Sequence, residues 1–123
     1  MALSIAIIKE TAEFETRVAA SAETVKKLIA LGCSVIIEKG AGEASSISDE
    51  MFREAGAAMV AQAAEATRNA DIILKVQARE SDLGGLKKGA LLIGLMSPHN
   101  NENFVKKIAS ANVNGFSMEL VPR

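Results

Sequence analysis

Short apolar runs separated by polar stretches set the rhythm of this chain. Residues 3–8 are rich in isoleucine and give way to the polar stretch 9–16, the pattern of a strand buried on both faces that runs into a loop. Ser21 predicts a helix start, Val25, Leu28 and Ile29 supply its apolar stripe, and Gly32 predicts its end. Lys26 and Lys27 fall toward the C-terminal half of that helix, where the macrodipole favours cations. Residues 35–37 read as a second buried strand, closed by Gly40-Ala41-Gly42. A polar loop over 45–48 leads to a short helix over 49–55 that Ser48 opens and Gly56 ends. Residues 57–60 predict a short extended piece, and the alanine-rich segment 61–69 predicts a helix. Residues 72–76 and 90–95 are strands joined by a polar loop over 77–88, and Ser97-Pro98 closes the second. Asn100 or Asn101 opens a helix through Ala109, with Phe104, Val105 and Ile108 facing inward, and 113–118 is the last strand.

Strands alternating with helices imply a largely parallel sheet with right-handed crossovers. The expected fold is therefore a three-layer α/β domain, a mostly parallel sheet flanked by helices, Rossmann-like or flavodoxin-like. It occupies residues 1–123 as a single domain. One step, between residues 76 and 90, lacks a helix. In open sheets of this kind ligands bind beyond the carboxyl ends of the strands. Those ends are 9–10, 38–42, 75–77, 97–100 and 119–123.

A net charge of -1 gives no field to attract nucleic acid or an anionic membrane. Four phenylalanines, with no tryptophan or tyrosine, offer no stacking platform for single strands. Cys33 is the sole cysteine, so no internal disulfide and no zinc spacing can arise, and a buried, inert thiol in a reducing cytoplasm is expected. There is no basic leader with a cleavage site, so no secretory signal is expected, and no apolar run approaches the ~20 residues of a membrane span.

Several residues are candidates for chemistry. Gly40-Ala41-Gly42-Glu43-Ala44-Ser45 follows a strand and precedes a helix, as a dinucleotide-binding turn would. Its third glycine is replaced by Ser45, and Glu43 would set a carboxylate beside a pyrophosphate, so a structural turn is the preferred reading. Arg17 could grip a carboxylate or phosphate, or form a solvated salt bridge. Lys75 interrupts an apolar strand, where an ammonium must be paired or reach the strand end. His99, the only histidine, follows a strand end, a position suited to an acid or base. Ser97 lies outside any G-x-S-x-G frame, which gives no support for a hydrolase. With one histidine and no tight acidic cluster, a metal site is not expected. The lysine pairs 26–27, 87–88 and 106–107 read as solvated surface. Spacing alone yields a plausible anion site and no complete catalytic set.

Four segments, in order, resemble one family. Residues 5–10 with Glu15-Thr16-Arg17-Val18-Ala19 resemble the opening K-E…E-x-R-V-A of the alanine dehydrogenase and nicotinamide nucleotide transhydrogenase family. Residues 35–42 are similar to its V-x-x-E-x-G-A-G, and 71–76 to its A-D-x-x-x-K-V. Met118-Glu119-Leu120-Val121-Pro122-Arg123 resembles the transhydrogenase form M-E-L-x-P-R. The similarity runs from Leu3 to Arg123, and it is the order and spacing of the set that make it specific.

Within the family, alanine dehydrogenases follow the strand lysine with K-E-P and carry a catalytic histidine near the end of the next strand. Here Gln77-Ala78-Arg79 follows Lys75-Val76, Ser97 falls at the histidine position, and His99 lies two residues late. The resemblance therefore favours the alpha subunit of proton-translocating transhydrogenase, a bacterial enzyme component. It implies NAD(H) on the complete subunit, NADP(H) on a partner component, and hydride transfer between them coupled to proton movement through membrane components. It implies a homodimer of the complete subunit, cytoplasmic and peripheral to the inner membrane. Arg123 matches the arginine that opens the loop contacting the nicotinamide end of NAD. Arg17 and Lys75 match positions that hold the substrate carboxylate in alanine dehydrogenases; in a transhydrogenase they line the cleft without that substrate. The family's full dinucleotide-binding domain is expected to follow this segment, and residues 1–123 alone are expected to be inactive. The alternatives are an alanine dehydrogenase and, in another class, a non-catalytic interaction or ligand-binding module.

Overall fold

The computed structural model describes residues 3–97 and 101–121; His99 and Arg123 lie outside the described residues. Six strands form one sheet: β1 (Ser4–Ile7), β2 (Ser34–Glu38), β3 (Ala58–Val60), β4 (Ile72–Gln77), β5 (Leu91–Leu95) and β6 (Asn114–Ser117). Their order is β3-β2-β1-β4-β5-β6, and every neighbouring pair is parallel. Four helices pack on it: α1 (Ala22–Ala30), α2 (Asp49–Glu54), α3 (Ala63–Thr67) and α4 (Glu102–Ser110).

The elements form where the patterning predicts, with local differences. Ser21 caps α1 by accepting from the Thr24 amide, and Ser48 caps α2 by accepting from that of Met51. The alanine-rich helix is shorter than expected, and the last strand ends at Ser117 because Met118–Leu120 winds into a 3-10 turn. A 3-10 turn, Glu80–Leu83, also sits in the expected loop between β4 and β5, where the Asp82 carboxylate accepts from the Arg79 amide. Cys33, expected to be buried, is only half-buried, because it precedes β2 rather than lying within it.

β1 shows why its residues are apolar on both sides. Ile5 and Ile7 enter one core with Val25, Val35, Ile37 and Phe52. Ala6 and Ile8 enter the other with Ile73, Leu92, Phe104 and Ile108. Phe52 and Phe104 are fully buried, one per face, and each contributes a hydrophobic gain of about 2–3 kcal/mol.

β4 carries an irregularity that matters for the site. Leu74 pairs with Ile93 and Gln77 with Leu95, so β4 spends one residue more than β5 over the same stretch. The bulge falls on Lys75 and Val76, and Gly94 accommodates it, since a Cβ there would meet the Lys75 carbonyl oxygen at 2.7 Å.

Candidate functional site

The chain winds outward from β1 through β2 to β3, then returns to build β4, β5 and β6 on the other side. The switch point is thus the carboxyl end of the β1–β4 seam. Glu10 stands there. Its Oε2 accepts from the Val76 amide at 2.9 Å and its Oε1 from the Gln77 amide at 3.0 Å. Those amides belong to the bulge and the strand end, beyond the last β1–β4 pair at Ile7 and Leu74. One side chain thereby satisfies donors that would otherwise be stranded in a half-buried place. The same device recurs on either side: the Glu38 carboxylate accepts from the Lys9 amide at 2.8 Å, and that of Glu119 from the Met96 and Ser97 amides at 2.8 and 2.6 Å.

Lys75 lies beneath this row. Its side chain is 0% exposed, and Nζ approaches the Lys9 carbonyl oxygen at 3.3 Å, Asp82 Oδ1 at 3.4 Å and Glu10 Oε1 at 3.6 Å. The bulge turns the ammonium inward, and the two carboxylates compensate the burial of its charge.

Arg17 lies apart from Lys75. Its Nε and Nη2 donate to both oxygens of Glu15 at 2.9 and 2.8 Å, and Gln77 Nε2 donates to the same carboxylate at 2.7 Å. In extended backbone, residues two apart point the same way, so Glu15 and Arg17 meet directly. The Arg17 hydrogen bonds hold the Glu15 carboxyl well below the usual carboxylate range, and the Gln77 bond adds to this. The same pairing raises the Arg17 guanidinium above its ordinary value. Arg17 remains largely exposed.

Two clefts open on this edge. One, of about 420 Å³, holds Arg17 with Lys9, Glu10, Glu15 and Gly40. The other, of about 520 Å³, lies beyond β4 and β5 and holds Gln77, Arg79, Met96 and Ser97. The Glu15–Gln77 bond joins a residue of one to a residue of the other. Arg17 and Ser97 therefore line different clefts, and Lys75 lines neither. Ser97 adopts a positive φ of 47° with its amide tied to Glu119. Burial alone would raise the Glu119 carboxyl, but hydrogen bonds from the Ser117 hydroxyl and the Met96 and Ser97 amides outweigh it and hold it at about 2.

The glycine loop is built for packing. The amides of Gly40, Ala41, Glu43, Ser45, Ser46 and Ile47 are all engaged within the chain, that of Gly40 by Asp49. A Cβ on Gly42 would meet the Ile47 carbonyl oxygen at 2.6 Å and the Phe52 ring at 2.8 Å. The space a pyrophosphate would need is occupied by protein, so this loop does not fit the phosphates of a dinucleotide. Among the described residues no group of three or more His, Cys, Asp or Glu is arranged to hold a metal ion, and no helix is long and apolar enough to cross a membrane.

Sequence reasoning does not single out Glu10, Asp82 or Glu119. The available signal is a carboxylate directly after a strand or at the third position of a one-turn helix. Phe14 carries no such signal: it is 91% exposed at φ 65°, in the loop between the two clefts.

An all-parallel sheet in this order, with its charges gathered at the switch point, defines a doubly wound α/β domain of the nucleotide-enzyme type. The chain belongs to the family described as "Alanine dehydrogenase/PNT, N-terminal domain", whose profile matches residues 6–123. It is 39% identical over 127 residues to the first of the chains that make up NAD(P) transhydrogenase subunit alpha in Rhodospirillum rubrum, covering 98% of this chain and 33% of that protein. It is 34% identical over 118 residues to alanine dehydrogenase 1 of Staphylococcus aureus, covering 95% of this chain and 31% of that one. The solved transhydrogenase of Sinorhizobium meliloti superposes with a TM-score of 0.91 at 41% identity, covering 97% of this chain and 34% of the other. The chain thus spans about a third of the length of the relatives it matches.

Proposed function

We propose that this chain acts as the leading domain of the NAD(H)-binding component of a proton-translocating NAD(P) transhydrogenase. The observation that carries this reading is Ser97. It stands at the end of β5, where the resemblance to alanine dehydrogenases calls for a catalytic histidine. A serine hydroxyl there cannot exchange a proton near neutral pH as an imidazole does. The Ser97 amide is bound by Glu119, which belongs to the stretch that resembles the transhydrogenase ending.

Hydride transfer between two nicotinamide rings needs no acid or base from the protein, only close and rigid approach. The domain's own residues suit that division of labour. Its glycine loop is filled by Ile47 and Phe52, so the phosphates fall to another region of the subunit. The latched strand ends provide a stiff wall, with Arg17 in one cleft and Ser97 in the other. Arg123, by resemblance, reaches the nicotinamide end, while NADP(H) belongs to a partner component. The complete subunit is a homodimer held at the cytoplasmic face of the inner membrane through its partners.

The test is a chimera in which residues 1–123 replace the matching segment of the Rhodospirillum rubrum relative. With the NADP-binding partner present, it transfers hydride from NADH to an NADP analogue and does not oxidise alanine. Alanine oxidation without transhydrogenation would move the assignment to the dehydrogenase branch. Calorimetry of residues 1–123 alone is expected to show no NADH binding, and tight binding would make the domain a nucleotide module in its own right.

A further inference from the structure

Lys75 presents a buried ammonium at the switch point, and an ammonium there is an anion receptor by position. Its three neighbours lie at 3.3, 3.4 and 3.6 Å, all longer than the about 2.7–2.9 Å of a good charge-assisted hydrogen bond. The charge is enclosed without being tightly coordinated. The two carboxylates beside it are held differently. Glu10 is fixed by two backbone amides of β4, at 2.9 and 3.0 Å. Asp82 rides on the single 3-10 turn Glu80–Leu83 and is bound through its other oxygen to the Arg79 amide at 2.7 Å. Asp82 also lines a third cleft, of about 340 Å³, with Lys9, Glu38, Thr67 and Ser81, whereas Lys75 does not reach that cleft. The Asp82 carboxylate is therefore the partition between the ammonium and open space.

We propose that Asp82 is a specificity determinant: its carboxylate fills the place at Lys75 that a small carboxylate would take, closing this lysine to amino-acid and oxo-acid ligands. The proposal rests on the transhydrogenase reading, in which such ligands have no role, and gives that reading a structural cause. A ligand carboxylate arriving from the cleft would have to displace Asp82 and would meet Glu38 on the way. Charge repulsion and occupied space act together against it.

Oxalate is the probe, and the readout is the Lys75 ammonium resonance of the 123-residue chain labelled with nitrogen-15 on lysine. Addition of oxalate to the wild-type chain leaves that resonance unmoved. In Asp82→Ser, oxalate shifts it saturably, with affinity raised by about tenfold or more over wild type. The conservative variant Asp82→Glu restores exclusion, which a merely structural loss would not do. Adding Lys75→Met to Asp82→Ser abolishes the gain. Where the serine variant does not fold, the isosteric Asp82→Asn removes the charge alone and is read in the same way. A wild-type chain that binds oxalate at Lys75, or a folded Asp82 variant that gains nothing, overturns the proposal. Neither readout depends on hydride transfer, so failure of the chimera and failure of this inference are separate results.

Discussion

Glu10→Gln is nearly isosteric, yet the structure predicts a large loss of stability. Each oxygen of Glu10 accepts a different backbone amide, from Val76 at 2.9 Å and Gln77 at 3.0 Å. A glutamine can offer its oxygen to only one. Its amide nitrogen then faces the other N–H, donor against donor, in a position where the Glu10 side chain is 3% exposed. Losing a hydrogen bond to a charged acceptor costs about 1.5–3 kcal/mol when the partner stays buried. Lys75 also loses one of its two compensating carboxylates while Asp82 remains at 3.4 Å. Together these give a loss of about 2–4 kcal/mol. Urea unfolding followed by circular dichroism reads this as a midpoint lowered by about 1–2 M with an unchanged slope. Thermal unfolding reads it as a fall of about 4 °C per kcal/mol for a chain of this size. Hydrogen exchange localises the effect: the Val76 and Gln77 amides exchange faster, while those of Met96 and Ser97, which Glu119 holds, do not change relative to global stability. A loss below about 0.5 kcal/mol, the level of an ordinary surface change, would refute the reasoning.

Two further outcomes follow from the same edge of the sheet. The folded Glu119 carboxyl sits at about 2 against an ordinary 4.5, so its contribution is fully present above about 4.5 and is lost as pH falls through about 2. Glu119 is exposed, so solvent screening limits the effect to about 1 kcal/mol; the stability gap between wild type and Glu119→Gln, measured by urea titration, should close as pH falls through that window. Gly42→Ala should cost about 1–3 kcal/mol in the ligand-free chain, because the new methyl group strikes the Ile47 carbonyl and the Phe52 ring; a variant as stable as wild type would show that the loop has room to spare.

The sheet was legible because its strands are short runs apolar on both faces, and β1 keeps that pattern in its two cores. Strand order was not, because the β1–β4 pairing joins residues 67 positions apart through contacts that no local pattern encodes. The 3-10 turn at Glu80–Leu83 was hidden for a different reason: it is held by the Asp82 bond to Arg79 and packs Asp82 against Lys75, a tertiary demand rather than a propensity. Lys75 was legible as an anomaly, since a lysine in an apolar strand must be paired, but its partners come from β1's end and from that turn. Of the two readings of Arg17, the salt bridge is the one formed, and its partner Glu15 was within reach of the sequence, two residues away in extended backbone.

The central position of β1 orders the assembly of the chain. Strands within each half of the sheet are joined by comparatively short crossovers, whereas the seam between β1 and β4 closes a far longer loop. Loop-closure entropy therefore favours pairing inside each half before the seam. Both ends of that seam carry a side-chain clasp, Asp71 on the Ser4 amide at one end and Glu10 on the β4 bulge at the other. Contacts that form last contribute little to the rate of folding and much to the barrier against unfolding. The two clasps thus act as a kinetic bolt, setting how long the native domain persists once its halves have met.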